Sequence, residues 1–255
     1  MIPLFKSHYS IGKSILTLDS KNVRGPEGSD SIFEIAKEAG LSEVVLVEDS
    51  LTGFLQSKKA CDELGLKLIF GLRMSFCNKV EEEDSETTNN NSVHKVIVFA
   101  KNSAGCTKLN ELSTKSQLEG GGLLDFKMAE DLWDENSLKM CIPFYDSFIH
   151  KNACSFSNCI PDFSSIRPDF FVENNLLPLD PIINSRVTAY CKKNKLKTIM
   201  AKSIFYKSRE DFDAYVTYKC ICNRKKFMAS LDKPGFDHLA SREFSFESWK
   251  ENNEA

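Results

Sequence analysis

Residues 43–74 limit the possible folds of this chain more than any other stretch. Two runs of apolar side chains, Val44–Val47 and Leu68–Gly71, flank an amphipathic stretch at 52–64. Apolar runs of this length are typical of strands buried on both faces, and the stretch between them fits one helix. Residues 43–74 therefore predict a βαβ unit and an α/β fold. In such folds ligands bind at the carboxyl ends of the parallel strands.

The rest of the chain alternates in the same way between short apolar runs and amphipathic stretches. With 255 residues and 42% hydrophobic content, it can bury the core of one domain. This alternation indicates a parallel barrel or a doubly wound sheet, and periodicity alone does not choose between them. The further predicted strands are Ile2–Ser7, Val96–Ala100, Met140–Tyr145, Asp169–Val172 and Thr198–Ala201. The further predicted helices are Ser31–Ala39, Ala104–Lys115, Pro181–Asn194 and Ser208–Ile221.

Composition suggests the domain boundaries. We predict one α/β domain at 1–232 and a C-terminal appendage at 233–255 whose end, 249–255, is disordered. Residues 79–92 are polar and acidic without apolar anchors, which predicts a solvated surface loop. The role of this loop is expected to be solubility, and the alternative is an acidic contact site for a partner.

Five segments of the chain occur in an order that is typical of one known family: Lys6-Ser7-His8-Tyr9-Ser10, 46–53 (LVEDSLTG), 65–73 (GLKLIFGLR), 96–112 (VIVFAKNSAGCTKLNEL) and 198–221. Together they resemble the PHP (polymerase and histidinol phosphatase) domain that begins the bacterial DNA polymerase III alpha subunit. The first is similar to the family's His-Ser-x-Tyr-Ser. The second is similar to its Thr-Asp-(His or Glu)-x-x-Leu-x-Gly. The resemblance covers roughly residues 2–232 and implies a distorted (β/α)7 barrel.

Active PHP domains hold a metal cluster at the carboxyl-terminal mouth of the barrel through His, Asp and Glu side chains, and this chain departs from that pattern in every motif. Of the positions that correspond to ligands, only Glu48 keeps a side chain that suits a metal. We therefore expect no metal cofactor. The alternative is a reduced site for divalent manganese or zinc at His8, Glu48 and Asp49. The positions that correspond to the family's ligands are Leu4, Lys6, Lys13, Val47, Glu48, Arg73 and Ser203-Ile204-Phe205.

Cations occupy or adjoin several of these positions. If the resemblance holds, Lys6, Lys13, Arg73 and Lys202 lie at the strand ends. They could form an anion site, because ammonium and guanidinium groups suit phosphates. The other possibility is that they compensate carboxylates left behind by a lost metal cluster, namely Glu48, Asp49 and Glu173.

Other motifs give weaker indications. The nine cysteines are scattered and odd in number, which favours reduced, buried thiols over a zinc site. Asp211 and Asp213 fall in a predicted helix, where side chains two residues apart diverge and cannot clamp metals together. The basic clusters at 192–195 and 224–227 follow predicted helices, where cations interact favourably with the negative end of the helix dipole. The alternative role of these clusters is contact with a nucleic acid or another partner.

Two classes of function remain open. The first is a free-standing PHP-like module without catalysis that docks a DNA polymerase or another replication protein, with nucleic acid as a further potential partner. The second is a metal-dependent phosphoesterase or 3′–5′ exonuclease with a remodelled site. A net charge of −3 argues against a broadly cationic nucleic-acid binder. No apolar run suits a signal peptide or a membrane span, so a cytoplasmic location is expected, within a host cell if the source is a phage.

Overall fold

Strands and helices alternate along most of the chain, as the sequence predicts. The computed structural model describes residues 1–23, 28–80, 93–154, 157, 159–222 and 241–254. The strands are β1 (Ile2–Phe5), β2 (Glu43–Glu48), β3 (Lys67–Phe76), β4 (His94–Ala100), β5 (Leu123–Leu124), β6 (Leu138–Ile142), β7 (Asp169–Val172) and β8 (Thr198–Ile204). The helices are α1 (Ile32–Glu38), α2 (Phe54–Leu64), α3 (Ser103–Leu118), α4 (Phe126–Glu130), α5 (Phe148–Cys154), α6 (Asp180–Asn194), α7 (Phe212–Cys222) and α8 (Phe246–Glu254).

The chain divides into two compact units. The first unit comprises 1–70, 173–181 and 200–255, and the second comprises 71–172 and 182–199. The predicted boundaries at 232 and 233 fall within 223–240, which lies outside the described residues. So does most of the predicted acidic loop, at 81–92. Both boundaries and the loop stay predictions.

The first unit is built on three parallel strands. β1 lies between β2 and β8, and Leu4 is opposite Val45 on one side and Ser203 on the other. Five of the six β2 residues are buried, which explains why this strand reads as a continuous apolar run. Because the three strands are parallel, their carboxyl ends meet at one edge. The loops that follow β1 and β2 begin at this edge.

Local signals fix the helices of this unit. The hydroxyl of Ser31 accepts hydrogen bonds from the backbone N–H groups of Phe33 and Glu34, so Ser31 is the N-cap of α1. Gly65 ends α2 with a left-handed backbone, φ 69°, a conformation that costs glycine little. The next strand begins directly afterwards, where Lys67 N–H donates to Ser42 O at 3.0 Å. The predicted βαβ unit is thus present as β2, α2 and β3.

The second unit differs from a regular βα repeat. β4 runs antiparallel to both β3 and β6, whereas β6 and β7 are parallel. No helix is described between β3 and β4, and an antiparallel pair needs no crossover helix. The α/β class predicted from the sequence is confirmed. The finer (β/α)7 barrel stays a prediction, because β4 departs from the parallel order that such a barrel implies.

The C-terminal residues 241–254 are part of the first unit. Phe246 stacks on Phe5 with ring centroids 5.8 Å apart, and the indole N–H of Trp249 donates to Met1 O at 2.9 Å. The segment also pairs with the chain after β8, since Phe205 N–H donates to Phe244 O. The predicted disorder of 249–255 is therefore wrong for 249–254, which lie in α8.

The cysteines behave as the sequence predicts. All nine are free thiols, and six of them are buried. Burial raises the pKa of Cys141 and Cys159 to about 12, so these thiols carry no charge at neutral pH and are weak nucleophiles. Among the residues described, no helix has the length and apolar character needed to cross a membrane.

Candidate functional site

Charged side chains are buried at the carboxyl ends of β1 and β2. We call Lys6, Ser7, Ser10, Glu48 and Asp49 the Lys6 cluster. Lys6 and Ser7 follow β1 directly, Glu48 ends β2, and Asp49 is the next residue. Glu48 has no solvent-accessible surface, and Lys6, Ser7 and Ser10 are buried with it. Ionisable groups are rarely buried without partners, so their partners decide what this edge can do.

Glu48 is held by the loop that follows β1. Its Oε1 atom accepts a hydrogen bond from Ser7 N–H at 2.7 Å, and its Oε2 atom accepts one from the Ser10 hydroxyl. The same hydroxyl oxygen accepts from Asp49 N–H at 2.9 Å. Both carboxylate oxygens are thus used within the protein, and Glu48 fixes the loop after β1 to the end of β2.

Lys6 neutralises the second carboxylate of the cluster. Its Nζ atom lies 3.2 Å from Asp49 Oδ1, and the lysine side chain is 8% exposed. It also lies 3.5 Å from Ser10 Oγ. The pair is only partly desolvated, because Asp49 is exposed and its side chain keeps 30% of its accessible surface. At this edge an ammonium group therefore stands in direct contact with a carboxylate.

Burial raises the pKa of Glu48, and the Lys6 charge and the hydrogen bonds from Ser10 and Ser7 lower it by less. The folded state therefore binds a proton at Glu48 more readily than the unfolded state does. The free energy that Glu48 contributes is greatest at low pH and is lost as pH rises through its folded-state pKa.

This shift predicts the pH dependence of a Glu48→Gln variant. The variant cannot lose stability by ionising residue 48, so its free energy of unfolding relative to the wild type should rise between about pH 4.5 and neutrality. Urea unfolding of both proteins at several pH values measures the difference. A difference that stays constant with pH would contradict the burial of an ionisable Glu48.

A second buried network surrounds Glu173, which follows β7 in the chain and belongs to the first unit. Its carboxylate accepts hydrogen bonds from Ser203 N–H at 2.8 Å, from the Ser203 hydroxyl at 2.9 Å and from Asn175 Nδ2 at 3.0 Å. Asp180, at the start of α6, accepts from Asn175 N–H at 2.8 Å. We call Glu173, Asn175, Asp180, Lys202 and Ser203 the Glu173 cluster.

Lys202 supplies the positive charge of this cluster. It is 1% exposed and its Nζ atom lies 3.5 Å from Asn174 O. Burial lowers the pKa of Lys202, while Glu243 and Glu173 oppose that effect. Burial also raises the pKa of Glu173 in spite of its hydrogen bonds. Lys202 and Glu173 thus favour each other's charge, although Glu243 acts more strongly on Lys202 and the hydrogen bonds from Ser203 and Asn175 act more strongly on Glu173.

Residues 241–243 of the C-terminal segment also contact this network. Glu243 accepts two hydrogen bonds from the Arg209 guanidinium, at 3.0 and 3.1 Å, and this pairing lowers the pKa of Glu243. The Ser241 hydroxyl donates to Asn175 O. The sequence alone did not indicate Asp180, Arg209 or Glu243 for this site, because only the folded chain brings 241–243 to the loop that begins at Glu173.

The remaining predicted site residues have other surroundings. His8 is partly exposed, its Nδ1 atom lies 3.3 Å from Leu16 O, and its ring packs on Tyr9 with centroids 4.5 Å apart. Lys13 is also partly exposed, at the turn where its N–H donates to Ser10 O. Arg73 belongs to the second unit, where its guanidinium donates to Asp146 at 2.5 Å. Burial raises the pKa of Asp146, but the charge and hydrogen bond of Arg73, together with Lys151 and His150, lower it overall.

The donor groups do not fit the metal cluster that the resemblance implies. A divalent ion needs several convergent carboxylates or imidazoles. In the part of the chain that the structure describes, no three His, Cys, Asp or Glu side chains form such a group, and this includes His8, Glu48 and Asp49. Glu48 already accepts two hydrogen bonds, and the Lys6 ammonium contacts Asp49. The expected absence of a metal cofactor nevertheless stays a prediction.

Comparisons with known proteins leave the family open. No protein-family model and no curated protein sequence matches the chain. Among solved structures, the chain is similar to a protein from Bifidobacterium adolescentis that is described as a metal-dependent phosphoesterase. The two share 11% identity over 79% of this chain and 87% of the other, with a TM-score of 0.35. The family resemblance read from the sequence therefore stays a prediction.

Proposed function

We propose that this protein is a non-catalytic, PHP-like binding module in which buried lysine–carboxylate networks replace a metal cluster. The observation that carries the proposal is the contact of 3.2 Å between Lys6 Nζ and Asp49 Oδ1, made by a lysine side chain that is 8% exposed. This contact lies at the carboxyl ends of parallel strands, the edge at which α/β folds hold their ligands.

The electrostatics of the two clusters support this proposal. A dication bound beside Asp49 would have to displace or tolerate the ammonium of Lys6, and like charges at this distance repel. Lys202 has the same effect beside Glu173, where it is even more deeply buried. We therefore interpret each cluster as a set of opposite charges that compensate each other and stabilise the strand ends. This favours compensation over an anion site for Lys6 and Lys202.

An anion-binding role for Lys6, Lys13, Arg73 and Lys202 remains the weaker proposal. Three of the four already lie near carboxylates: Lys6 near Asp49, Arg73 near Asp146, and Lys202 near Glu173 and Glu243. A phosphate would have to compete with these internal partners. Saturable phosphate binding that Lys6→Met abolishes would establish the anion site.

The partner we propose is a DNA polymerase or another replication protein of the same cell. This part of the proposal rests on the resemblance of residues 2–232 to the PHP domain of a DNA polymerase subunit. A cytoplasmic location, and a phage source, belong to the same proposal. A module of this kind needs no active site, since its role is to hold a catalytic subunit in place.

A hydrolysis assay tests the absence of catalysis. The purified protein is incubated with bis(p-nitrophenyl) phosphate and with end-labelled single-stranded DNA, in the presence of manganese, zinc or magnesium. We expect no turnover above that of a Glu48→Gln variant prepared in parallel. Turnover in the wild type that the Glu48→Gln and His8→Ala variants both lose would establish the phosphoesterase or exonuclease alternative.

Gel filtration with purified replicative polymerase tests docking separately, and we expect the two proteins to co-elute.

A further inference from the structure

Positive charge is concentrated in one part of an otherwise acidic chain. The stretch 181–209 contains eight Lys and Arg residues and no Asp or Glu, although the whole chain has a net charge of −3. Four of these cations fall within six residues, from Lys192 to Lys197. Their density makes this stretch the place to look for a charged partner.

In the second unit, Arg167 lies close to the four cations between Lys192 and Lys197. α6 ends at Asn194, Lys195 turns the chain with a left-handed backbone, φ 54°, and Lys197 directly precedes β8. Phe170 N–H donates to Lys197 O at 2.8 Å, which places the start of β7 beside this turn. Arg167, just before β7, donates from Nη2 to Lys195 O at 3.1 Å. We call Arg167, Lys192, Lys193, Lys195 and Lys197 the basic patch.

All five side chains of the basic patch belong to exposed residues. Within the described ranges, no carboxylate forms an ion pair with any of them. Asp169 is the acidic residue nearest to Arg167 in the chain, and it pairs with Lys139 at 3.0 Å. The patch therefore presents five cations to solvent, with the guanidinium of Arg167 anchored on the backbone.

The helix dipole explains only part of the patch. Lys192 and Lys193 lie in the last turn of α6, where cations stabilise the helix end. Lys195 directly follows the helix and is still close to its end. Lys197 and Arg167 lie farther along the chain or in another segment, so two of the five cations have no such structural role.

We infer that the basic patch binds the phosphate backbone of a nucleic acid. Cations that come from a helix end, a turn and the approach to a neighbouring strand suit a partner with regularly repeated negative charges. The patch holds no aromatic side chain on which a base could stack, so contact with the backbone and little dependence on sequence are expected. Leu196 is the single apolar residue between Lys192 and Lys197 and is partly buried, which disfavours insertion into a lipid surface.

This inference does not depend on the proposed function, because it uses residues of the second unit alone. Loss of metals from the strand ends neither requires nor prevents nucleic-acid binding at the basic patch. The two proposals can therefore fail separately.

Fluorescence anisotropy with a labelled DNA duplex tests the inference. Binding should weaken steeply between about 50 and about 200 mM salt, with a slope of log K against log salt of up to about −4.5 if all five cations contact phosphates. A Lys192→Glu/Lys193→Glu variant should bind at least about tenfold more weakly, with a slope smaller by about two. The matched control is Lys58→Glu/Lys59→Glu on α2, which changes the net charge equally and should bind almost as the wild type does.

Three results would overturn the inference. The first is the absence of DNA binding at low salt. The second is an equal loss of binding in both double variants, which would show an effect of net charge alone. The third is binding to phosphatidylserine vesicles or to polyglutamate that is as tight as binding to DNA and is lost in the Lys192→Glu/Lys193→Glu variant. Retained folding of both variants is checked by circular dichroism.

Discussion

Replacement of Glu173 by alanine should lower the free energy of unfolding by about 3–5 kcal/mol, since it strands buried hydrogen-bond donors and removes one of the two carboxylates that act on buried Lys202. The Glu173 carboxylate accepts hydrogen bonds from Ser203 N–H, Ser203 Oγ and Asn175 Nδ2. The variant strands these donors, and Lys202 loses a stabilising negative charge in a site that is 1% exposed. Urea denaturation followed by circular dichroism measures the loss.

A double-mutant cycle separates charge from hydrogen bonding in this cluster. Glu173→Gln keeps an acceptor for Ser203 N–H, so it should cost less than Glu173→Ala, about 1–3 kcal/mol. Lys202→Met removes the opposing charge. Because the two charges support each other, Glu173→Gln/Lys202→Met should cost clearly less than the sum of the two single variants. Strict additivity, or a Glu173→Ala variant as stable as the wild type, would contradict the charge-compensated network.

Replacement of Trp249 by alanine should also cost about 3–5 kcal/mol of unfolding free energy, the usual effect of removing a large buried aromatic side chain. Trp249 is 6% exposed, stacks on Phe246 with centroids 5.1 Å apart, and donates to Met1 O. Trp249→Phe is the matched variant. It keeps most of the buried ring and loses the hydrogen bond. Loss of the hydrogen bond should lower the free energy of unfolding by about 1 kcal/mol, in addition to the effect of the smaller ring.

The Trp249 variants also test the predicted domain boundary. Loss of global stability in Trp249→Ala would show that 241–254 belong to the same cooperative unit as β1. Unchanged unfolding of the rest of the chain, with loss of the α8 signal alone, would support the appendage predicted from composition.

Much of the fold could be predicted from local pattern. The apolar run Val44–Val47 predicted β2, and the predicted helix Ser31–Ala39 corresponds to α1, which spans Ile32–Glu38. β7 was predicted with the bounds that the structure has, because the run is short and flanked by polar residues. These signals act over a few residues, and so the sequence displays them directly.

Features that depend on contacts distant in the chain were beyond the sequence. The tail 249–255 looked disordered because it is rich in Asn and Glu, whereas Trp249 finds its partner at Met1. The residues Glu48 and Ser7 are 41 positions apart, and Glu173 and Ser203 are 30 apart. The resemblance to the PHP family implied that cations and carboxylates would both lie at the strand ends, and it left open whether they would bind an anion or each other. The distances between Lys6, Asp49 and their neighbours favour the second interpretation.

The most direct test of the central claim is the metal content of the purified protein. The protein is expressed with manganese and zinc supplied, and elemental analysis is compared among wild type, Glu48→Ala and His8→Ala. The charge-compensated strand ends predict metal far below one ion per chain in all three proteins. Stoichiometric metal in the wild type that either substitution removes would contradict this account and establish a metal site at the carboxyl ends of β1 and β2.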